Sequence, residues 1–365
     1  MLTSPLVAQA TRSDSTPVVR IGAFVDGYFA WDMGQPRTRD RSFVGGAPFT
    51  TQPARHNEFN INLAYADITV DAPTYRGRFA LQAGTSVQAN YSGEVTVGEV
   101  SGPTLSRMIQ EASVGVALTD KLWIDGGIFY SHVGMESWVS RDNLTYTRSL
   151  VADYSPYYQS GVKATWTPTS RFVAQVHVIN GWQNISETND GKAAGARLDY
   201  LPSSRTTLSA YNLVSDELRG RFRTFQGVGA KHSMGSVTLM GQVDAGTQSR
   251  STVGSGTAAW YGWTAIARVQ HRPHVALVVR AEGYHDPDQI IVSTGRSGVG
   301  SPRDDNPALR ALGVSLGVDL SRAKRALWRS ELRGWHNRLP VFPRAVGDRA
   351  SEFSAVAVTS LAVTF

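Results

Sequence analysis

Phe353-Ser-Ala-Val-Ala-Val-Thr-Ser-Leu-Ala-Val-Thr-Phe365 closes the chain, and its reading decides the fold. Phe353, Ala355, Ala357, Thr359, Leu361, Val363 and Phe365 fall on one face at a period of two, the spacing of a strand and not of a helix. The same period runs through the first ordered stretch. Val19, Ile21, Ala23, Val25, Gly27, Phe29 and Trp31 share one face, and Arg20, Gly22, Phe24, Asp26 and Tyr28 share the other. One face suits hydrocarbon and the other suits water or a polar interior, the alternation of a membrane-spanning β-strand.

Between these ends the pattern recurs about sixteen times. Strands are expected near 19–32, 57–70, 75–90, 107–118, 121–132, 157–167, 172–182, 193–201, 205–213, 222–233, 236–246, 258–271, 274–285, 308–320, 326–337 and 351–365. The runs 205–213 and 222–233 alternate poorly, so fourteen or eighteen strands stay open. Connections alternate in length. Short ones include Asp71 to Thr74, Thr119-Asp120, Pro168 to Ser170, Pro202 to Ser204, Met234-Gly235, Arg272-Pro273 and Ser321 to Arg325. Long ones fall at 33–56, 91–106, 133–156, 183–192, 214–221, 247–257, 286–307 and 338–350. Transmembrane barrels put tight turns on the periplasmic side and long loops outside, whereas a soluble sandwich has no reason to alternate them. The expectation is an all-β protein, a transmembrane antiparallel up-and-down β-barrel over residues 19–365.

Composition agrees. No apolar run approaches the ~18 residues of a spanning helix, and barrel strands need only ~9–11 residues with every second one apolar. The chain has no cysteine, which removes disulfides and thiolate metal sites. Its net charge of +6 comes with scattered Arg residues and not with the clustered basic face that nucleic acid requires. Near the start, Ala8-Gln9-Ala10 has the small-residue pattern of a signal-peptidase site, so residues 1–18 are expected to be a signal-peptide remnant or a disordered tail.

Aromatic residues collect at strand ends, where a bilayer interface selects an apolar body with a polar tip. Trp123, Trp166, Tyr200, Trp328 and Phe365 mark the short-turn side, and Trp31 and Trp263 the long-loop side. Parity assigns the inward positions. Asp26, Glu58, Asn60, Asn62, Arg76, Arg78, Gln82, Glu111, Asp125, Lys163, Arg268, Arg280, Glu282, Arg329, Glu331 and Arg333 are the expected pore-lining set, while Phe59, Ile61, Leu63, Tyr65, Phe79, Leu81, Ala83 and Val87 face lipid. An Arg or Lys facing lipid at mid-bilayer costs ~2–4 kcal/mol, so inward placement is a requirement of the barrel.

The stretch Phe49 to Ala64, with Tyr75 to Thr85 and Gln88-Ala-Asn-Tyr91, resembles the OmpL-like outer-membrane β-barrel porin family. These motifs occupy about the first quarter of the chain. The resemblance implies a pore and no catalytic residues; it covers Arg55, Asn57, Glu58, Asn60 and Asn62 on one strand and Arg76, Arg78 and Gln82 on the next. The terminal Phe365 is similar to the end of the recognition strand of bacterial outer-membrane proteins. That similarity implies handling by the outer-membrane assembly machinery and surroundings of outer-membrane lipid and lipopolysaccharide.

About sixteen strands enclose a lumen too wide for side chains to fill. The expected function is an outer-membrane porin for passive diffusion of small hydrophilic solutes or ions. Basic inward residues modestly outnumber acidic ones, which motivates a weak anion preference; equally, these charges could simply pair and brace the wall. Loops 33–56, 133–156 and 286–307 are all candidates for a constriction. Two other readings stay open: an adhesin or receptor working through its long external loops, and an outer-membrane hydrolase. The eight histidines are spread out, His271 and His274 flank a turn without a third ligand, and Asp286, Asp288, Asp304 and Asp305 match no defined calcium loop. No cofactor, metal or catalytic residue is expected. A homotrimer is one assembly open to such a barrel, but no sequence feature carries an interface.

Overall fold

The computed structural model describes residues 16–43, 46–218, 221–249, 256–294, 308–345 and 350–365. Its dominant feature is a closed barrel of antiparallel strands. In chain order they are β1 (Val18–Asp32), β2 (Phe59–Asp71), β3 (Tyr75–Ala83), β4 (Ile109–Thr119), β5 (Leu122–Tyr130), β6 (Tyr158–Thr169), β7 (Phe172–Ile179) and β8 (Ala193–Ser203). They continue as β9 (Thr206–Leu218), β10 (Arg221–Met234), β11 (Val237–Gln248), β12 (Ala258–Arg272), β13 (Val275–Asp286), β14 (Leu309–Ala323), β15 (Ala326–Asn337) and β16 (Phe353–Thr364). Each strand pairs with its sequence neighbours, and β16 closes on β1 with Asp26 opposite Ala362. The last peptide joins this seam, because Phe365 N donates to Ala23 O at 2.9 Å. Closure leaves no unpaired edge, which is what a sheet in hydrocarbon requires.

The alternation read from the sequence sets the two faces. Ile21, Val114, Leu312 and Leu316 are exposed on the outside, while Phe24, Asp26, Tyr28, Val356 and Val358 are buried inside. In a bilayer each outward Val, Leu, Ile or Phe leaves water, at about 1.5–3 kcal/mol per side chain. The polar inward groups are sealed from lipid by the same pleat.

Four expectations need correction. Leu63 and Tyr65 do not face lipid: a bulge at Asn62 shifts the register, so Leu63 stands opposite Asp26 and Tyr65 opposite Phe24, and both pack inside. The strand expected over 75–90 ends at Ala83, and Thr85–Asn90 is a short helix. Gly84 between them has φ 143°, and a Cβ there would collide with the carbonyl of Asn62. The chain therefore turns off the wall at a residue only glycine fits. As a result Val87 does not face lipid; it is buried in a cluster with Tyr91, Trp138 and Tyr158. The long loop expected at 214–221 is mostly strand, since β9 runs to Leu218 and β10 starts at Arg221. Ser215, Asp216 and Glu217 look like loop residues, but strand pairing with Arg223 and Phe222 accommodates them. Ala8-Gln9-Ala10, Asp304 and Asp305 lie outside the described residues.

The interior is not an empty cylinder. A cluster of buried apolar side chains spans its long-loop half, drawing Phe129, Leu213, Phe225, Trp260, Tyr284 and Trp335 from the wall and Phe43, Phe49, Leu150, Val151 and Phe342 from loops. The inward face of β1 shows the change of character along one strand, from Asp26 to Tyr28 and Ala30.

Candidate functional site: the barrel interior

The segment 133–157 between β5 and β6 folds into the barrel and lies against the wall of β13 to β15. Arg280 on β13 donates from Nη1 to Thr147 O at 2.7 Å and to Thr145 Oγ1 at 3.0 Å, and from Nη2 to Thr147 Oγ1 at 2.6 Å. Arg329 on β15 donates to the carbonyls of Ser140 (2.7 Å), Thr145 (2.9 Å) and Asn143 (2.7 Å). The carboxylates complete the clamp. Glu331 accepts from Thr147 N (2.8 Å) and Oγ1 (2.9 Å), and Glu282 accepts from Leu150 N at 2.7 Å. Among themselves, Arg333 pairs with Glu282 at 2.7 Å, Arg280 with Glu331 at 2.9 Å and Arg329 with Asp319 at 3.2 Å. All six side chains are buried. Burial of so many charges is tolerable because each has an opposite charge and hydrogen bonds to most of its groups; Arg280 Nε and Arg329 Nε have only ion-pair contacts, with Glu282 and Asp319.

Further contacts fix the loop along its length. Met135 N donates to Gln242 Oε1 at 2.8 Å, and Ser140 Oγ to Asp26 Oδ2 at 2.7 Å. Asn62 donates to the same Asp26 oxygen at 2.8 Å. At the far end Arg141 donates to Lys324 O (2.5 Å), Arg325 O (2.8 Å) and Thr364 Oγ1 (2.8 Å), so this loop reaches the short-turn rim. From the long-loop side, segment 33–58 props it. Thr51 donates to Asp153 at 2.6 Å, Gln52 to Trp138 O at 3.0 Å, and Phe49 packs on Trp335 and Phe342 at 4.7 and 4.9 Å.

The wall of β2 to β8 is different. Arg76 holds Asp125 through two bonds of 2.6 and 2.5 Å, and its guanidinium lies 4.4 Å from the Trp123 ring. Arg78 bridges Asp67, at 3.0 Å, and Glu111. Arg197 pairs with Asp199 at 2.8 Å, and the Lys163 ammonium stands 4.5 Å over Phe129. In the pairs nearest the short-turn side, the cation faces the solvent more than its partner. Arg76 is 34% exposed against 5% for Asp125, Arg78 27% against 10% for Glu111, and Arg268 25% against 4% for Asp319.

The expected inward set thus divides. Asp26, Asn62, Arg280, Glu282, Arg329, Glu331 and Arg333 are buried against the loop or its neighbours, and Gln82 accepts from Trp138 Nε1 at 3.1 Å. Arg76, Arg78, Glu111, Asp125, Lys163 and Arg268 belong to the more open side. Glu58 and Asn60 form a small network with Arg55 at the long-loop edge. Of the expected interface aromatics, Trp31, Trp166, Tyr200, Trp263, Trp328 and Phe365 are exposed outward. Trp123 is a correction: it shares the parity of Asp125 and Phe129 and supports Arg76 from inside. The loop residues were not singled out from the sequence. The alternation of apolar Trp138, Val139, Leu144, Tyr146, Leu150 and Val151 with hydroxyl and amide groups was the available sign of an inserted loop. Among the described residues, no three His, Asp or Glu side chains gather as a metal site.

A closed, loop-filled barrel with lipid-facing alternation and charged inner walls defines an outer-membrane β-barrel of the porin type. The chain belongs to the family described as "Putative beta-barrel porin-2, OmpL-like", whose model matches residues 18–365. It is a porin-like channel protein and not an enzyme. Solved structures share the fold at low identity. The anion-selective porin from Comamonas acidovorans superposes with a TM-score of 0.58 at 12% identity, covering 96% of this chain and 100% of that one. The trimer form of in-vitro folded OmpT from Vibrio cholerae gives 0.58 at 8% identity, with 96% and 100% covered. OprB of Pseudomonas putida gives 0.57 at 11%, with 95% and 94% covered. No curated protein matches the chain.

Proposed function

We propose that the protein carries small hydrophilic solutes by passive diffusion, with a weak preference for anions, and that loop 133–156 sets the constriction. The observation behind the preference is the tilt of the ion pairs near the short-turn side, where Arg76, Arg78 and Arg268 turn their guanidinium groups to the water and Asp125, Glu111 and Asp319 stay behind them. Paired charges of this kind are neutral in sum, yet a passing ion meets the positive end first, and selectivity follows the local field. Support for the constriction is the seating of loop 133–156 on buried arginines. Segment 33–58 then acts as its brace. In this reading the inward charges line the path on one wall and hold its narrowing on the other. Reversal potentials across planar bilayers under a salt gradient test the proposal; cation selectivity would overturn the anion preference. A homotrimer, as in the trimer form of OmpT, would show as three coupled conductance steps.

A further inference from the structure

The infolded loop leaves the wall at a pair of stacked imidazoles. His132 lies just beyond β5, and its ring rests on that of His177 in β7 at 4.1 Å between centroids and 26° between planes. Both are buried. His132 is well held, with Nε2 2.8 Å from Asn212 O and Nδ1 3.0 Å from Gln159 Oε1. His177 is not: neither of its ring nitrogens has a hydrogen-bond partner, and both are closed off from solvent. Phe129 covers it further at 5.8 Å. The wall is shaped for this arrangement. A side chain at Gly195 would occupy the place of the His132 ring, and one at Gly229 would displace Met135 three residues along the same loop.

The charged groups around the stack are cationic. Lys163 is the direct cross-strand neighbour of His177, with its ammonium over Phe129. Arg197 donates to the carbonyls of His132 and Gly134, both at 2.8 Å. The carboxylates on the neighbouring strands are paired, Asp125 with Arg76, Glu111 with Arg78 and Asp199 with Arg197. Neutral rings suit this place. An imidazolium would meet a second imidazole, Lys163 and Arg197, with no acceptor for the new proton on His177. Burial, reinforced by Arg197, holds the His132 imidazole below its ordinary value.

We propose that the His132–His177 stack is an acid-sensitive latch, which seats the root of loop 133–156 while neutral and releases it when protonated, widening the path. The proposal rests on the reading of this loop as the constriction. A ring whose proton affinity is depressed in the seated state favours that state fully above the ordinary imidazole value and progressively less below it. The latch therefore holds at neutral and alkaline pH and loosens as the pH falls below ~6.5.

Hydrogen exchange of the refolded barrel tests this without needing ion flow. Peptides spanning 131–149 would be compared at about pH 7.5 and about pH 4.5, either side of the ordinary imidazole value, after correction for intrinsic rates. The expected result is a loss of protection of about tenfold for each pH unit below the ordinary imidazole value, so up to about a hundredfold per ring at the lower pH. In His177→Phe, which keeps an aromatic stack but cannot titrate, the loss is abolished or reduced. Should that variant fail to refold, His177→Gln makes the same comparison. Equal protection at both pH values in the native chain, or the same loss in the variants, overturns the latch. Conductance separates the two readings: a channel silent at every pH with the exchange behaviour intact refutes the diffusion function and leaves the latch standing.

Discussion

On the wall of β13 and β15, Arg280, Arg329 and Arg333 aim at loop oxygens and at Glu282 and Glu331, and water is excluded. On the wall of β3 to β8, Arg76, Arg78 and Arg197 hold Asp125, Glu111 and Asp199, and the guanidinium groups of Arg76 and Arg78 remain partly wet. The residue types and the strand parity are the same. What differs is whether a loop lies on top. A covered ion pair becomes an adhesive, because removing one partner strands the other away from water. An uncovered pair keeps its cation in reach of the solution, so its field extends into the path and its loss is partly made good by water.

The sharpest way to break this contrast is to remove the cover. Shortening the loop across residues 136–147 should raise single-channel conductance more than any point change and make the two walls alike. Next in size is Glu282→Gln, which leaves Arg333 facing Arg280 without its counter-charge. A cost of about 3–5 kcal/mol is expected, read as a lower midpoint in urea unfolding of the refolded barrel. On the open wall, Arg76→Gln with Arg78→Gln should cost less stability per pair, because water can enter where the partly exposed guanidinium groups stood. The same double change should shift the reversal potential toward cations, since Asp125 and Glu111 would then face the path. An unchanged reversal potential would show that the exposed guanidinium groups do not set selectivity. Smallest is Arg20→Ala. Its pair with Asp71 is solvent-exposed at the short-turn rim, so a change of about 0–1 kcal/mol is expected, fading further in high salt.

The same contrast explains what could be read from the sequence. Strand positions were legible because the bilayer imposes a period of two on every spanning segment, and Phe365 and Trp328 face outward as that period requires. Parity also placed Arg280 and Arg76 inside. It could not say that one is buried under a loop and the other wet, because their separation depends on contacts such as Arg280 to Thr147, distant in sequence. Ser137, Ser140, Arg141, Asn143 and Thr147 have the polarity of an external loop, and that polarity is what allows them to satisfy the buried clamp. Trp123 misled for a related reason. Its place beside a short turn suits a lipid interface, but its parity with Asp125 puts it inside, and in a strand parity decides the face.

Arg141 ties the tip of the inserted loop to the turn at Lys324 and Arg325 and to Thr364 in the closing strand. Those acceptors come into existence only after the final hairpin has been made and docked. The loop's anchor is therefore complete only in a closed barrel. The hairpin and strand that shut the cylinder are the same ones that hold its obstruction, so closure and narrowing share one set of residues.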